Sequence, residues 1–187
     1  MQTPSQTVGP FFGIGLIGEG QNHLVDNRTA GERIRLEGTV FDGDGRAVSD
    51  AMVEIWQADS AGIFNHPADP RREEADPHFC YFGRSGTDDE GRYWFNTVKP
   101  GSRAAGGGTQ QAPYINVRVF ARGMLIHAVT RIYFSDEPTN SSDPVLNAVE
   151  EARRATLIGR LSEASDPPAY QFDIHLQGEG ETVFFNP

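Results

Sequence analysis

Apolar and polar residues alternate with a period of two along most of this chain. In "PYINVRVF" (113–120), Ile115, Val117 and Val119 fall on one face and Tyr114, Asn116 and Arg118 on the other, as in a strand with one face in a core. The same pattern sets Ile34, Leu36 and Val40 against Arg35, Glu37 and Thr39, and Met52, Glu54 and Trp56 against Val53, Ile55 and Gln57. Further strands are predicted in "RYWFNTV", "LIHAVTRIYF" and "AYQFDIHLQ". "DGDG" at 42–45, "DDEG" at 88–91, Arg122-Gly123 and the Gly178–Gly180 stretch supply the turns, which predict hairpins. Seven or eight short strands at turn-marked intervals predict an all-β fold, a β-sandwich of mainly antiparallel strands.

Three stretches break the alternation. "DPVLNAVEEARRATLIG" predicts one short helix near 144–158, with Asp143 as cap, Pro144 in the first turn, Gly159 as terminator and Glu150 facing Arg154. Residues 65–78 are expected to be a polar, proline-broken loop, and 101–111 a glycine-rich one. Residues 1–31 read as an N-terminal arm, with 32–187 as the sandwich. Its "FFGIGLIG" has neither the length nor the spacing of a helix. Each large apolar side chain left in water there forgoes roughly 1.5–3 kcal/mol, so the arm must dock on this domain or on another chain.

Charge narrows the partners. The chain carries 16 Lys and Arg against 26 Asp and Glu, a net charge of −10, with no basic run, which argues against nucleic acid. No stretch is long and apolar enough to span a membrane, and the first residues lack the features of a signal peptide, so a cytoplasmic protein is expected. Cys80, the single cysteine, excludes an intrachain disulfide and reads as a packed residue between Phe79 and Tyr81.

Candidate chemistry is sparse. His66 and His78 flank a loop with Asp69, Glu73, Glu74 and Asp76, but the spacing fits no compact metal motif, and a hydrated loop is the plainer reading. His23, His127 and His175 stand singly. No nucleophile elbow or nucleotide-binding glycine loop is present. Arg122 remains, either a turn residue or a cation suited to bidentate capture of a carboxylate.

Six strings, in order from Thr3 to Phe185, carry a resemblance. "TPSQTVGPFF", "EIWQADSAGIF", "TDDEGRYWFNTVKPG", "PYINVRVFARG", "PVLNAVEEARRATLIGRL" and "YQFDIHLQGEGETVFF" together resemble the intradiol ring-cleavage dioxygenases, and in particular the α subunits of the two-chain members. The resemblance implies oxygenation of a catechol, 3,4-dihydroxybenzoate, by O2 to 3-carboxy-cis,cis-muconate, at a non-haem ferric ion, Fe(III), held by two tyrosines and two histidines. The positions matching those ligands here are Phe64, Arg103, Tyr114 and Asn116, which cannot together hold a hard ferric ion. By resemblance, then, no residue of this chain is catalytic or ligates metal. The iron belongs to a homologous β subunit in a hetero-oligomer of α/β protomers. Thr7, Gly9, Pro10 and Arg122 match positions that line the substrate pocket. Two rivals remain open at this point: a non-catalytic, transthyretin-like sandwich module, and an independent metalloenzyme using the His66–His78 loop.

Overall fold

A computed structural model of the chain describes residues 3–9, 11–106, 108–162 and 165–186. Its strands run in chain order as β1 (Arg33–Phe41), β2 (Met52–Gln57), β3 (Phe82–Gly86), β4 (Arg92–Val98), β5 (Arg103–Gly106) and β6 (Thr109–Gln111). Then come β7 (Tyr114–Phe120), β8 (Ala128–Phe134), β9 (Ile158–Ser162), β10 (Ala169–Gln171) and β11 (Ile174–His175). A nine-stranded sheet takes the order β11-β1-β10-β9-β8-β7-β2-β3, with β4 added on β1, while β5 and β6 form a separate hairpin. Pairing is mainly antiparallel, as predicted, but β1 runs parallel to β10 and β11, and β8 parallel to β9.

Alternation explains the core. Ile34, Leu36 and Val40 of β1 and Tyr93 and Phe95 of β4 share one buried cluster with Val53 and Ile55 of β2, Val117 and Val119 of β7, and Ile132 of β8. Each such side chain contributes roughly 1.5–3 kcal/mol on leaving water. A smaller cluster of Tyr114, Tyr133, Leu146 and Leu157 covers the opposite face at one end of β7. That cover is why Tyr114, on the face predicted to be polar, is buried.

Several expectations change. The turn at 42–46 does not make β1 and β2 a hairpin. β1 pairs with β4, and beyond the turn only the single bridge Phe41↔Ala47 forms. The helix near 144–158 is broken into α2 (Pro144–Ala148) and α3 (Glu151–Arg154), which a 3-10 turn at Ala155–Leu157 follows. Asp143 does cap α2, its Oδ1 accepting from Val145 N and Leu146 N. Val149 is extended, however, and Arg154 donates to the carbonyls of Val149 and Asn147 and makes no pair with Glu150. Within the glycine-rich stretch, β5 and β6 pair antiparallel with each other. Cys80 is exposed, because Phe79 and Tyr81 take the inward positions on either side of it.

The arm also differs from expectation: it contains a one-turn helix, α1 (Phe12–Leu16), placed ahead of the other helices in the chain. Phe12 is buried and Leu24 enters the main core, but Phe11 and Ile14 remain 75% and 83% exposed. The carbonyl of Leu16 accepts from Arg84 on β3 at 3.4 Å. Among the described residues no helix is long and apolar enough to cross a membrane.

Candidate functional site

Two places on β7 gather the candidate residues, one at each end. At the N-terminal end, register puts Asn116 opposite Trp56 of β2 and Arg131 of β8, and Tyr114 opposite Tyr133. Phe64 arrives on the loop after β2. Asp59 shapes that loop by accepting from Ala61 N and Ile63 N, each at 3.0 Å, and from the Tyr81 hydroxyl at 3.1 Å. Burial, reinforced by Asp59, pushes the Tyr81 phenol well above its ordinary range, so it stays a neutral donor. Gly62 sits at φ +73°, and a side chain there would strike the carbonyl of Ser102, which precedes Arg103.

These elements bring side chains, not metal donors, into contact. The Trp56 and Phe64 rings lie 4.6 Å apart, and the Arg103 guanidinium sits 4.8 Å above Phe64. Asp69 Oδ2 lies 3.8 Å from Arg103 Nη2 and accepts from Phe64 N at 3.0 Å. Asn116 Nδ2 donates to the Trp56 carbonyl at 3.2 Å. Tyr114 takes the Arg131 guanidinium 4.1 Å over its ring. Phe64 and Arg103 therefore touch directly, Asn116 joins them through Trp56, and Tyr114 packs with Arg131 and Tyr133.

This set does not fit a ferric ion. Phe64 has no donor atom, Arg103 is a cation, the Asn116 amide is engaged with Trp56, and Tyr114 alone offers one oxygen. Asp69 was expected to be a hydrated loop residue and is only 5% exposed. Its burial works to raise the carboxyl pKa, but hydrogen bonds from Phe64 N and Arg71 N and the charges of Arg71 and Arg103 outweigh it, holding Asp69 below the usual carboxylate range. His66 and His78 turn to different partners: His66 Nδ1 accepts from Ala68 N, and His78 Nδ1 lies 3.8 Å from Asp26. No group of three or more His, Cys, Asp or Glu able to hold a metal occurs among the described residues.

The other place is the β7–β8 connection. Arg122 is 69% exposed along its side chain, with Nε 2.9 Å from Asp50 Oδ2. Gly123 adopts φ +85°, and its N–H donates to Thr7 Oγ1 at 3.0 Å, so the arm is tied to this turn. Gly9 adopts φ +74° two residues on, and Pro10 lies outside the described residues. A groove of about 280 Å3 runs between arm and turn, past Gln6, Val8, Phe120, Met124 and His127. Leu125 and Ile126 are exposed beside it. Sequence reasoning named Thr7, Gly9 and Arg122 but missed Asp50, Trp56 and Arg131, whose partners lie on other segments of the chain and leave no local signal.

The two places are roughly 20 Å apart, since about six residues of extended chain separate Asn116 from Arg122. Arg122 therefore stands well apart from Phe64, Arg103, Tyr114 and Asn116.

Comparison with known proteins agrees with the six strings. A family model described as Dioxygenase matches residues 8–178. The protocatechuate 3,4-dioxygenase alpha chain of Burkholderia cepacia is 46% identical, over 99% of this chain and 97% of its own length. The beta chain from the same organism is 36% identical, over 87% of this chain and 72% of its own length. An intradiol ring-cleavage dioxygenase structure from Tetranychus urticae superposes with a TM-score of 0.66 at 21% identity, covering 94% of each chain, and so supports the fold. A transthyretin-like module unrelated to ring cleavage is set aside by these matches. The chain belongs to the intradiol ring-cleaving dioxygenase family.

Proposed function

We propose that this chain is the α-type subunit of a protocatechuate 3,4-dioxygenase, working in the cytoplasm as part of a hetero-oligomer of α/β protomers. Its β-type partner holds the ferric ion, which supplies the oxygen chemistry of ring opening. This chain lines the substrate pocket with Thr7, Gly9, Pro10 and Arg122. The observation that carries the reading is the content of the four ligand-matching positions: Phe64 and Arg103 stack on one another where the family places metal donors. A chain of this family with no place for the metal has work to do only beside a chain that has one. Whole-length similarity to alpha chains, and weaker similarity to a beta chain, supports the pairing.

Arg122 has the chemistry that protocatechuate asks for. Its guanidinium is permanently charged and presents paired N–H groups that match a carboxylate. The hydrogen bond from Gly123 N to Thr7 ties the arm to the turn that carries Arg122, which supports a pocket role shared by the two segments. The test is co-expression with a β-type chain. The assembled enzyme is expected to take up oxygen with protocatechuate, while this chain purified alone shows no turnover and no stoichiometric iron. Iron bound one-to-one by the isolated chain, with turnover, would overturn the reading.

A further inference from the structure

We propose that Asp50 is a positioning residue that aims Arg122 at the substrate carboxylate, an inference resting on the pocket role given to Arg122 above. Asp50 ends the turn ahead of β2, and its surroundings are fixed. Ala51 N donates to Thr87 Oγ1 at 2.9 Å, and Thr87 N donates back to the Ala51 carbonyl at 3.0 Å. Arg122, by contrast, projects from an exposed turn, and a long side chain in that setting has many rotamers to lose on binding. A carboxylate on backbone held next to the sheet, beside a cation on an exposed turn, is the arrangement that narrows those rotamers in advance.

The contact also leaves the guanidinium usable. Asp50 approaches the Nε side at 2.9 Å, so the terminal pair of nitrogens remains for a second carboxylate. Asp50 Oδ2 is shut off from water and takes no well-aligned hydrogen bond among the described residues. Arg122 thus answers it by charge, with the N–H aimed to the side. The attraction holds the guanidinium near Asp50, at the modest strength of a pair whose cation is largely exposed. Asp50, Arg122 and Met124 share the rim of one cleft of about 260 Å3, which places the pair at an opening and not inside the core.

Steady-state kinetics of the enzyme assembled with its β-type chain decide the matter, with protocatechuate and with catechol, which lacks the carboxylate. Asp50→Ala is expected to lower kcat/KM for protocatechuate about 5-fold, through KM, and to change catechol by less than about 2-fold. In an Arg122→Ala background it should add nothing, because the group it positions is gone. Asp50→Asn keeps the shape without the charge and guards against misfolding; it must show the same substrate-selective loss. Equal losses for both substrates, or protocatechuate efficiency unchanged or raised in both Asp50 variants, overturn the inference while leaving Arg122 in place. An Arg122→Ala enzyme unaffected toward protocatechuate overturns the role of Arg122 itself.

Discussion

The two ends of β7 are built to opposite plans. At the N-terminal end, the four residues singled out by the resemblance find partners within the chain: Phe64 lies under Arg103, Asn116 donates to the Trp56 carbonyl, and Tyr114 lies under Arg131. At the C-terminal end, Arg122 stands 69% exposed, and the neighbouring Gly123 is tied to an arm that leaves Phe11 and Ile14 in solvent. The first end is closed on itself and stabilises the fold. The second is open, with an exposed cation and exposed apolar side chains, the kind of surface that the proposed pairing with another chain would cover. One strand thus has a closed end and an exposed one, and if the exposed end serves substrate as proposed, substitutions at the two ends should fail in different assays.

The largest effect expected at the closed end comes from Gly62→Ala. The position has φ +73°, and a methyl group would meet the Ser102 carbonyl, a backbone atom with no rotamer to yield. We expect a loss of about 3 kcal/mol. That corresponds to a fall in Tm of roughly 6–12 °C for a domain of this size. Thermal melts of the chain check it, and a melt within a degree or two of wild type would mean that the ligand loop and the β5 hairpin are not locked together.

Arg122→Ala is the matching test of the open end. Iron content and assembly should be unchanged, while kcat/KM for protocatechuate falls on the order of 10- to 100-fold, the value of a charge-assisted hydrogen bond of roughly 1.5–3 kcal/mol. Catechol should lose much less. Equal losses with the two substrates would make the open end structural as well, and the contrast between the ends would disappear.

Sequence pattern carried much of this picture, and its failures have a common cause. The alternation of Ile115, Val117 and Val119, and the antiparallel run from Tyr114↔Tyr133 to Val119↔Ala128, follow from local periodicity plus one short connection. The cap of Asp143 and the place of Pro144 are equally local. What was hidden is non-local. β1 has its turn after residue 41, yet it finds β4 and, in parallel, β10, which lies more than a hundred residues on. The stretch 144–158 reads as one helix because its apolar stripe is continuous, but Leu146 and Leu157 both join the cluster over Tyr114, and the chain bends at Val149. The site divided in the same way. Residues matched by the strings could be singled out one by one, whereas Asp50 and Arg131 make their contacts with other segments of the chain.

Acid should sharpen the closed end. Asp69 has a folded pKa held below its unfolded value, so its contribution is present above the ordinary carboxylate range and is lost as pH falls through the depressed value. Arg103 supplies part of that depression and the stacking on Phe64. Arg103→Ala should therefore lower Tm by roughly 2–4 °C near pH 7, the equivalent of about 1 kcal/mol. The difference from wild type should narrow below about pH 4, as Asp69 takes up its proton and the ion pair disappears. Melts of both proteins across that range are the check. A gap that stays constant with pH would assign the whole effect to the ring contact.

Thr7→Val gives the smallest effect and tests the tie between arm and turn. The substitution keeps the branched shape and removes the oxygen that accepts from Gly123 N at 3.0 Å. The site is exposed, so water replaces the lost acceptor and the cost falls at the low end of the 0.5–1.5 kcal/mol range for a hydrogen bond, roughly 0.5 kcal/mol. The melt of the isolated chain should scarcely move, because neither residue belongs to a core. The loss should surface only in the assembled enzyme, where Gly9 and Pro10 are proposed to line the substrate pocket. A rise in KM of about 2-fold, shared by protocatechuate and catechol, is expected if the arm meets the part common to both substrates while Arg122 alone meets the carboxylate. A loss confined to protocatechuate would mean instead that Thr7 works through the Arg122 turn, and the arm and the cation would then be a single device.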